Sequence, residues 1–288
     1  MTAQIAFIIG IILSPFAVRN SKLSGAVKVA IPYLLQISIV FQGASLDFNK
    51  VINVGLSGLM ITLMSIVAIF ILGSMGGKVL KIDKDQSLLI TMGTAICGGS
   101  AISALAPVIS ASAAAIAISM GLVFLLNVIA IFTFPLLGDF FQLSQSDFGM
   151  WAALAIHDTS SVTAAAASYG TEALSVATTV KLTRALWIVP VTLFFSFQNK
   201  SQKKGIKIPW FILGFVVASV LFTYVEFLRP FSTWFGMISK IGFALTLFLI
   251  GLSFDLIAMR KIALRPLIFG LSLWLIVSII SLLLIKSF

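Results

Sequence analysis

The chain has 288 residues, 60% of them hydrophobic and 10% charged, with a net charge of +10 and a single cysteine. A soluble domain carries roughly 45–50% apolar and about 25% charged residues, so this inventory excludes a water-facing globule. The basic excess sits in short loops, where it orients a membrane protein rather than binding nucleic acid, and one cysteine excludes an intrachain disulfide.

A membrane-crossing helix takes about 20 apolar residues. The apolar runs are predicted at residues 4–18, 26–46, 51–73, 87–107, 113–137, 149–170, 172–198, 208–228, 235–254 and 263–285. They make an all-α polytopic membrane protein of about ten segments, a single transmembrane domain over residues 1–288. Met1 to Gln4 carry no positive side chain ahead of the first run, which therefore reads as a retained span, not a signal peptide. Arg19, Lys22 and Lys28 surround the first connection, and Lys78, Lys81 and Lys84 occupy the third. Lys200, Lys203, Lys204 and Lys207 follow run seven; Arg260, Lys261 and Arg265 follow run nine. These alternate loops read as cytoplasmic and place both termini outside. The loop 138–148 departs from the pattern, with Asp139 and Asp147 and no basic residue. If runs four and six are re-entrant hairpins, that loop moves outside and the basic loops stay inside. Fully crossing broken helices are the alternative.

Runs four and six also resemble each other. Residues 95–104 (AICGGSAISA) align without gaps on residues 155–164 (AIHDTSSVTA). Internal repeats with a binding site at their interface are a common architecture of secondary transporters. A second echo pairs Gly43–Phe48 with Gly251–Leu256, but the two echoes nest, so one duplication does not generate both. The discontinuities are expected near residues 93–104 and 155–164.

In the first of these, Gly93, Gly98 and Gly99 favour an interrupted helix whose second half Ser100 can cap. Close packing of small residues is the alternative. In the second, His157-Asp158-Thr159-Ser160-Ser161 places five polar side chains inside an apolar run. His157 is the only histidine, and Asp158 is the only acid well inside a run. A buried acid is costly unless paired or hydrated, which makes it functional by default; Asp158, Thr159 or Ser160 can also cap a half-helix. Lys181 and Arg184 interrupt run seven on one helix face, too deep to snorkel. Asp158 can balance one of these cations and an anionic substrate the other; a structural ion pair with Asp158 is the alternative. Asn127 at similar depth in run five reads as a helix–helix hydrogen bond. Cys97 and His157 occupy matching repeat positions, but no further His or Cys completes a metal site.

These residues also carry a family resemblance. The segment from Gly93 to Ile102, Asn127 with Phe134-Pro135 and Gly138, the stretch Phe148 to Val162, and Ala177 to Arg184 with Pro190-Val191 together resemble the YeiH-like family, labelled sulfate exporters. The resemblance implies a multi-pass transporter of the bacterial inner membrane. It implies membership in the cation/proton antiporter and anion transporter superfamily, with inverted repeats and discontinuous helices. The expectation is a secondary transporter of a small anion, such as sulfate or an organic sulfonate or carboxylate. The expected substrate-binding residues are Thr94, Cys97, Gly98, Gly99, Ser100, His157, Thr159, Ser160, Ser161, Lys181 and Arg184. Asp158 and His157 are expected to couple transport to H+ or Na+, which is the only cofactor implied. The partners expected are the anion and the lipid bilayer, not nucleic acid; lipid-facing and partner-facing apolar surfaces look alike, which leaves a homodimer open. A passive anion pore, an intramembrane enzyme built on Cys97 and His157, and a structural subunit are the competing readings.

Overall fold

A computed structural model describes residues 2–19, 21–198, 210–252 and 263–287. The chain forms helices α1 (Thr2–Arg19), α2 (Ser21–Ala44), α3 (Phe48–Val79), α4 (Lys84–Ala95), α5 (Gly99–Leu105), α6 (Ala113–Phe140) and α7 (Gln145–Ala155). There follow α8 (Thr159–Tyr169), α9 (Thr171–Leu186), α10 (Ile188–Gln198), α11 (Trp210–Tyr224), a 3-10 turn (Glu226–Phe231), α12 (Ser232–Leu252) and α13 (Leu264–Ser287). No strand occurs among the described residues. Helix makes up most of the predicted apolar runs where they are described, with breaks at 96–98 and 156–158. Among the described residues, five helical stretches are long and apolar enough to cross a membrane: Val51–Val79, Ala114–Phe140, Thr171–Phe197, Glu226–Leu252 and Leu264–Lys286. Asp255 of the second echo, and the basic residues Lys200 to Lys207, Arg260 and Lys261, lie outside the described residues.

The helices gather into two bundles. In the first, α1, α2, α11 and α12 approach through glycines. A Cβ on Gly10 of α1 would lie 3.0 Å from the Gly251 Cα of α12, and one on Gly43 of α2 would overlap the Phe215 carbonyl oxygen of α11. Without water to drive association, close backbone approach of this kind is what holds apolar helices together. The second bundle contains α3 to α9 and α13 around a buried aromatic cluster. Phe134 stacks on Trp151 with ring centroids 4.3 Å apart, and the Trp151 indole N–H donates to the Ser278 carbonyl at 2.9 Å.

Runs four and six are broken hairpins. Tyr169 at the end of α8 donates its hydroxyl to the Leu143 carbonyl at 2.7 Å, and its ring stacks on Phe148 at 3.9 Å. The chain therefore enters along α7 and returns along α8 to the same end. The other hairpin works alike: the Ser119 hydroxyl, early in α6, donates to the Gln86 carbonyl at the start of α4 at 3.5 Å. The first turns of α6 thus lie beside the first turn of α4, with α5 and residues 106–112 as the return path. The two hairpins open toward opposite ends of α6, since Gly138 near its far end abuts Phe148 and Tyr169. The acidic loop 138–148 and the basic loop around Lys81 are accordingly at opposite ends.

Candidate functional site

The α4 helix ends at Ala95, where Ile96 leaves helical dihedrals (φ −123°, ψ −87°), and Gly98, the residue ahead of α5, adopts φ +61°, ψ −126°, a conformation that L side chains rarely take. The same glycine lets the hairpins meet. A Cβ there would lie 3.1 Å from Val123 Cγ1 and 3.4 Å from both the Asp158 nitrogen and the His157 carbonyl carbon. Replacing Gly98 by Ala is expected to destabilise the protein by about 1–2 kcal/mol through backbone strain and this contact. Thermal unfolding in detergent checks it: Tm falls for Gly98→Ala and holds for Gly99→Ala, whose added Cβ would meet only Phe124 at 3.7 Å.

The second break lies at Ile156 to Asp158. Ile156 and Asp158 are extended, and Asp158 is the N-cap of α8, its Oδ2 accepting from the Ser160 amide at 3.1 Å and from the Ser160 hydroxyl. Of the three candidate caps, Asp158 takes the role. Ser100 does not cap α5: the residue ahead of that helix is Gly98, which offers no side chain, and Ser100 is exposed. The positive φ at Gly98 starts α5 early enough to push Ser100 into its first turn.

Two helices that end inside a protein leave carbonyl groups without intrahelical donors. In α4, the Met92 and Gly93 carbonyls accept from the Ile96 and Gly98 amides. The next two belong to Arg184, whose Nη2 donates to the Thr94 carbonyl at 3.1 Å and whose Nε donates to the Ala95 carbonyl at 2.7 Å. In α7, Arg184 Nη1 donates to Ala153 at 3.3 Å and to Leu154. Lys181 Nζ donates to the Ile156 carbonyl at 2.6 Å and to Ala153 at 3.3 Å. Both cations are 0% exposed. They sit where the negative ends of two helix dipoles converge, a favourable place for positive charge. Neither donates to Asp158. Their hydrogen bonds go to backbone carbonyls instead.

The remaining predicted residues cluster around the same point. Cys97, His157, Ser160 and Ser161 are buried, while Gly99, Asp158 and Thr159 are half-exposed. Asn127, near the middle of α6, accepts the Asp158 amide on its Oδ1 at 3.3 Å. It therefore ties α6 to the break, a placement its sequence signal (a lone amide in an apolar run) only hinted at. Among the described residues, Thr94 Oγ1, Asn127 Nδ2 and both ring nitrogens of His157 are buried without a hydrogen-bond partner. Buried polar groups are normally satisfied, and four such atoms in three residues flanking one crossing mark it as a place for a polar ligand or water.

This architecture defines a polytopic helical membrane protein built around two broken hairpins that meet tip to tip. The chain belongs to the family described as conserved hypothetical protein 698, which matches residues 1–270. It is 44% identical to a UPF0324 membrane protein of Bdellovibrio bacteriovorus, over 85% of this chain and 78% of that one. A UPF0324 membrane protein of Porphyromonas gingivalis is 41% identical over 98% and 86%, and one of Vibrio parahaemolyticus 39% over 98% and 92%. No solved structure matches.

Proposed function

We propose that the chain is a secondary active transporter that carries a small anion across the bacterial inner membrane, binding it at the hairpin crossing and coupling its movement to H+ or Na+. One observation carries this reading: the crossing brings two fully buried basic side chains together with buried polar atoms that lack partners. The partial charges of the helix ends offset one another in pairs. Two cations, Lys181 as its ammonium and Arg184, then face one carboxylate, Asp158. A bound anion would balance the difference, with Thr94, Ser160, Ser161 and His157 as its nearest polar groups. The resemblance to the YeiH-like sulfate exporters supports an oxyanion: sulfate, or an organic sulfonate or carboxylate. The likeness of residues 95–104 to 155–164, with hairpins opening toward opposite ends of α6, supports inverted repeats and the antiporter–anion transporter superfamily. Cys97 and His157 then shape the site rather than catalyse a reaction.

Counterflow in proteoliposomes tests the proposal with radiolabelled sulfate, a sulfonate and a dicarboxylate. External unlabelled anion should accelerate loss of internal label, and the flux should saturate. Thr94→Val should raise KM about tenfold, the expected effect of losing one hydrogen bond to a charged ligand. Linear, unsaturable flux would establish a passive pore instead. No flux and no anion-dependent shift in Tm would overturn transport altogether.

A further inference from the structure

A crevice of about 370 Å³ opens between the two bundles, lined among others by Gln42, Ser45, Thr171, Ser232, Thr233 and Lys240. A narrower cavity of about 100 Å³ shares Thr171, Leu174 and Lys240 with it and runs along α8 past Ala167 to Thr163. Thr163 is one turn from the crossing, since its hydroxyl donates to the Ser160 carbonyl at 2.8 Å. At its other end the path begins beside Gly170, which packs on Gln145 of the acidic-loop end. The two cavities thus form one track from the acidic-loop end of the molecule toward the tips of the hairpins.

Among the described residues, Lys240 is the one charged residue lining either cavity. It lies within the apolar helix α12, and it is exposed. The carboxylate adjacent in sequence to Thr171, that of Glu172, lines neither. A lysine within a membrane helix is tolerated where it reaches water, and the crevice is the space through which Lys240 can reach it. A single positive charge between low-dielectric walls focuses the local field, gathering anions and repelling cations.

We propose that this crevice is the path by which the anion reaches the hairpin crossing from the acidic-loop side, and that Lys240 is its charge filter, selecting small oxyanions such as sulfate, sulfonates or carboxylates. The inference rests on the transporter reading and adds the route and the selecting residue. It is tested with a thiol introduced by Ala167→Cys, a small and exposed position in the narrow cavity. Modification rates by an anionic sulfonate thiosulfonate reagent and by its cationic trimethylammonium counterpart are compared on the reconstituted protein. The parent chain, whose only thiol is the buried Cys97, gives the background.

Relative to their rates with a free thiol in solution, the anionic reagent should react faster than the cationic one. The anionic-to-cationic rate ratio should fall about tenfold in Lys240→Gln, the order expected for one unit charge acting across a hydrated cleft, and hold in Lys240→Arg. An unchanged ratio in Lys240→Gln overturns the filter; a thiol in folded protein that neither reagent reaches overturns the path. Thr171→Cys at the mouth gives the same comparison if Ala167→Cys does not fold. Labelling needs no transported substrate. A protein that moves no anion but keeps the ratio therefore defeats the transporter reading alone, and one that exchanges anion but lacks the ratio defeats the filter alone.

Discussion

Replacing Arg184 by Met is expected to prevent accumulation of folded protein, the largest effect of any single substitution at the crossing. The guanidinium donates to Thr94 and Ala95 of one hairpin and to Ala153 and Leu154 of the other. Among the described residues, no other side chain bonds both. Methionine matches the volume of the aliphatic stem but leaves carbonyl groups at two helix ends without donors, in a place with no bulk water. An unsatisfied buried polar group costs about 1–3 kcal/mol. Even if the four contributions are far from additive, their sum is comparable with the roughly 5–15 kcal/mol stability of a whole domain. Arg184→Lys is expected to rescue only in part, because a single ammonium cannot reproduce a planar fork that reaches four acceptors. Lys181→Met should be milder, since one of its two acceptors, Ala153, is shared with Arg184. Size-exclusion chromatography and thermal unfolding in detergent check this order. A monodisperse Arg184→Met protein with the parental Tm would overturn the bridging role.

The hydrogen-bond partners of these two cations show where sequence reasoning ends. Their depth in run seven was legible, because charge inside an apolar run is chemically conspicuous. Their partners were not, because a backbone carbonyl can belong to any residue and leaves no mark in the sequence. Charge therefore suggested Asp158, whereas the structure gives Lys181 and Arg184 the ends of α4 and α7. The breaks themselves were legible for the same reason that the cations were: Gly98-Gly99 and the run from His157 to Ser161 are out of place in a membrane interior. The cap of the first break was not, since the preference for serine at such positions yields to the single positive φ at Gly98 that moves the start of α5. The hairpin form of runs four and six was foreshadowed only by the acidic loop 138–148. The contact that establishes it for run six, Tyr169 on Leu143, joins residues 26 positions apart and has no local signature. Lys240 stood in plain view inside an apolar run, but its meaning depends on the crevice, which only the packing of α12 against α2 and the α8–α9 corner creates.

The second large effect is expected at Asp158, where two substitutions separate its two jobs. The carboxylate caps α8 through Oδ2, and among the described residues it is the one carboxylate at the crossing of Lys181 and Arg184. Asparagine keeps an acceptor oxygen and is as good an N-cap as aspartate, so Asp158→Asn should fold with Tm within a few degrees of the parent. Alanine removes the acceptor as well, and Asp158→Ala should lose a further ~1–2 kcal/mol of stability. Both remove the charge. If that charge is what a proton or Na+ neutralises during transport, then ion-driven uptake should fall at least about tenfold in both, the scale of a coupling free energy of 1–3 kcal/mol. Exchange of anion against anion needs no net movement of the coupling ion and should survive in Asp158→Asn. The pattern of lost driven uptake, retained exchange and retained fold belongs to a coupling residue. A purely structural acid would instead lose both activities in proportion to Tm. Driven uptake in Asp158→Asn at the parental rate, with the parental pH and Na+ dependence, would show that the ion is held elsewhere.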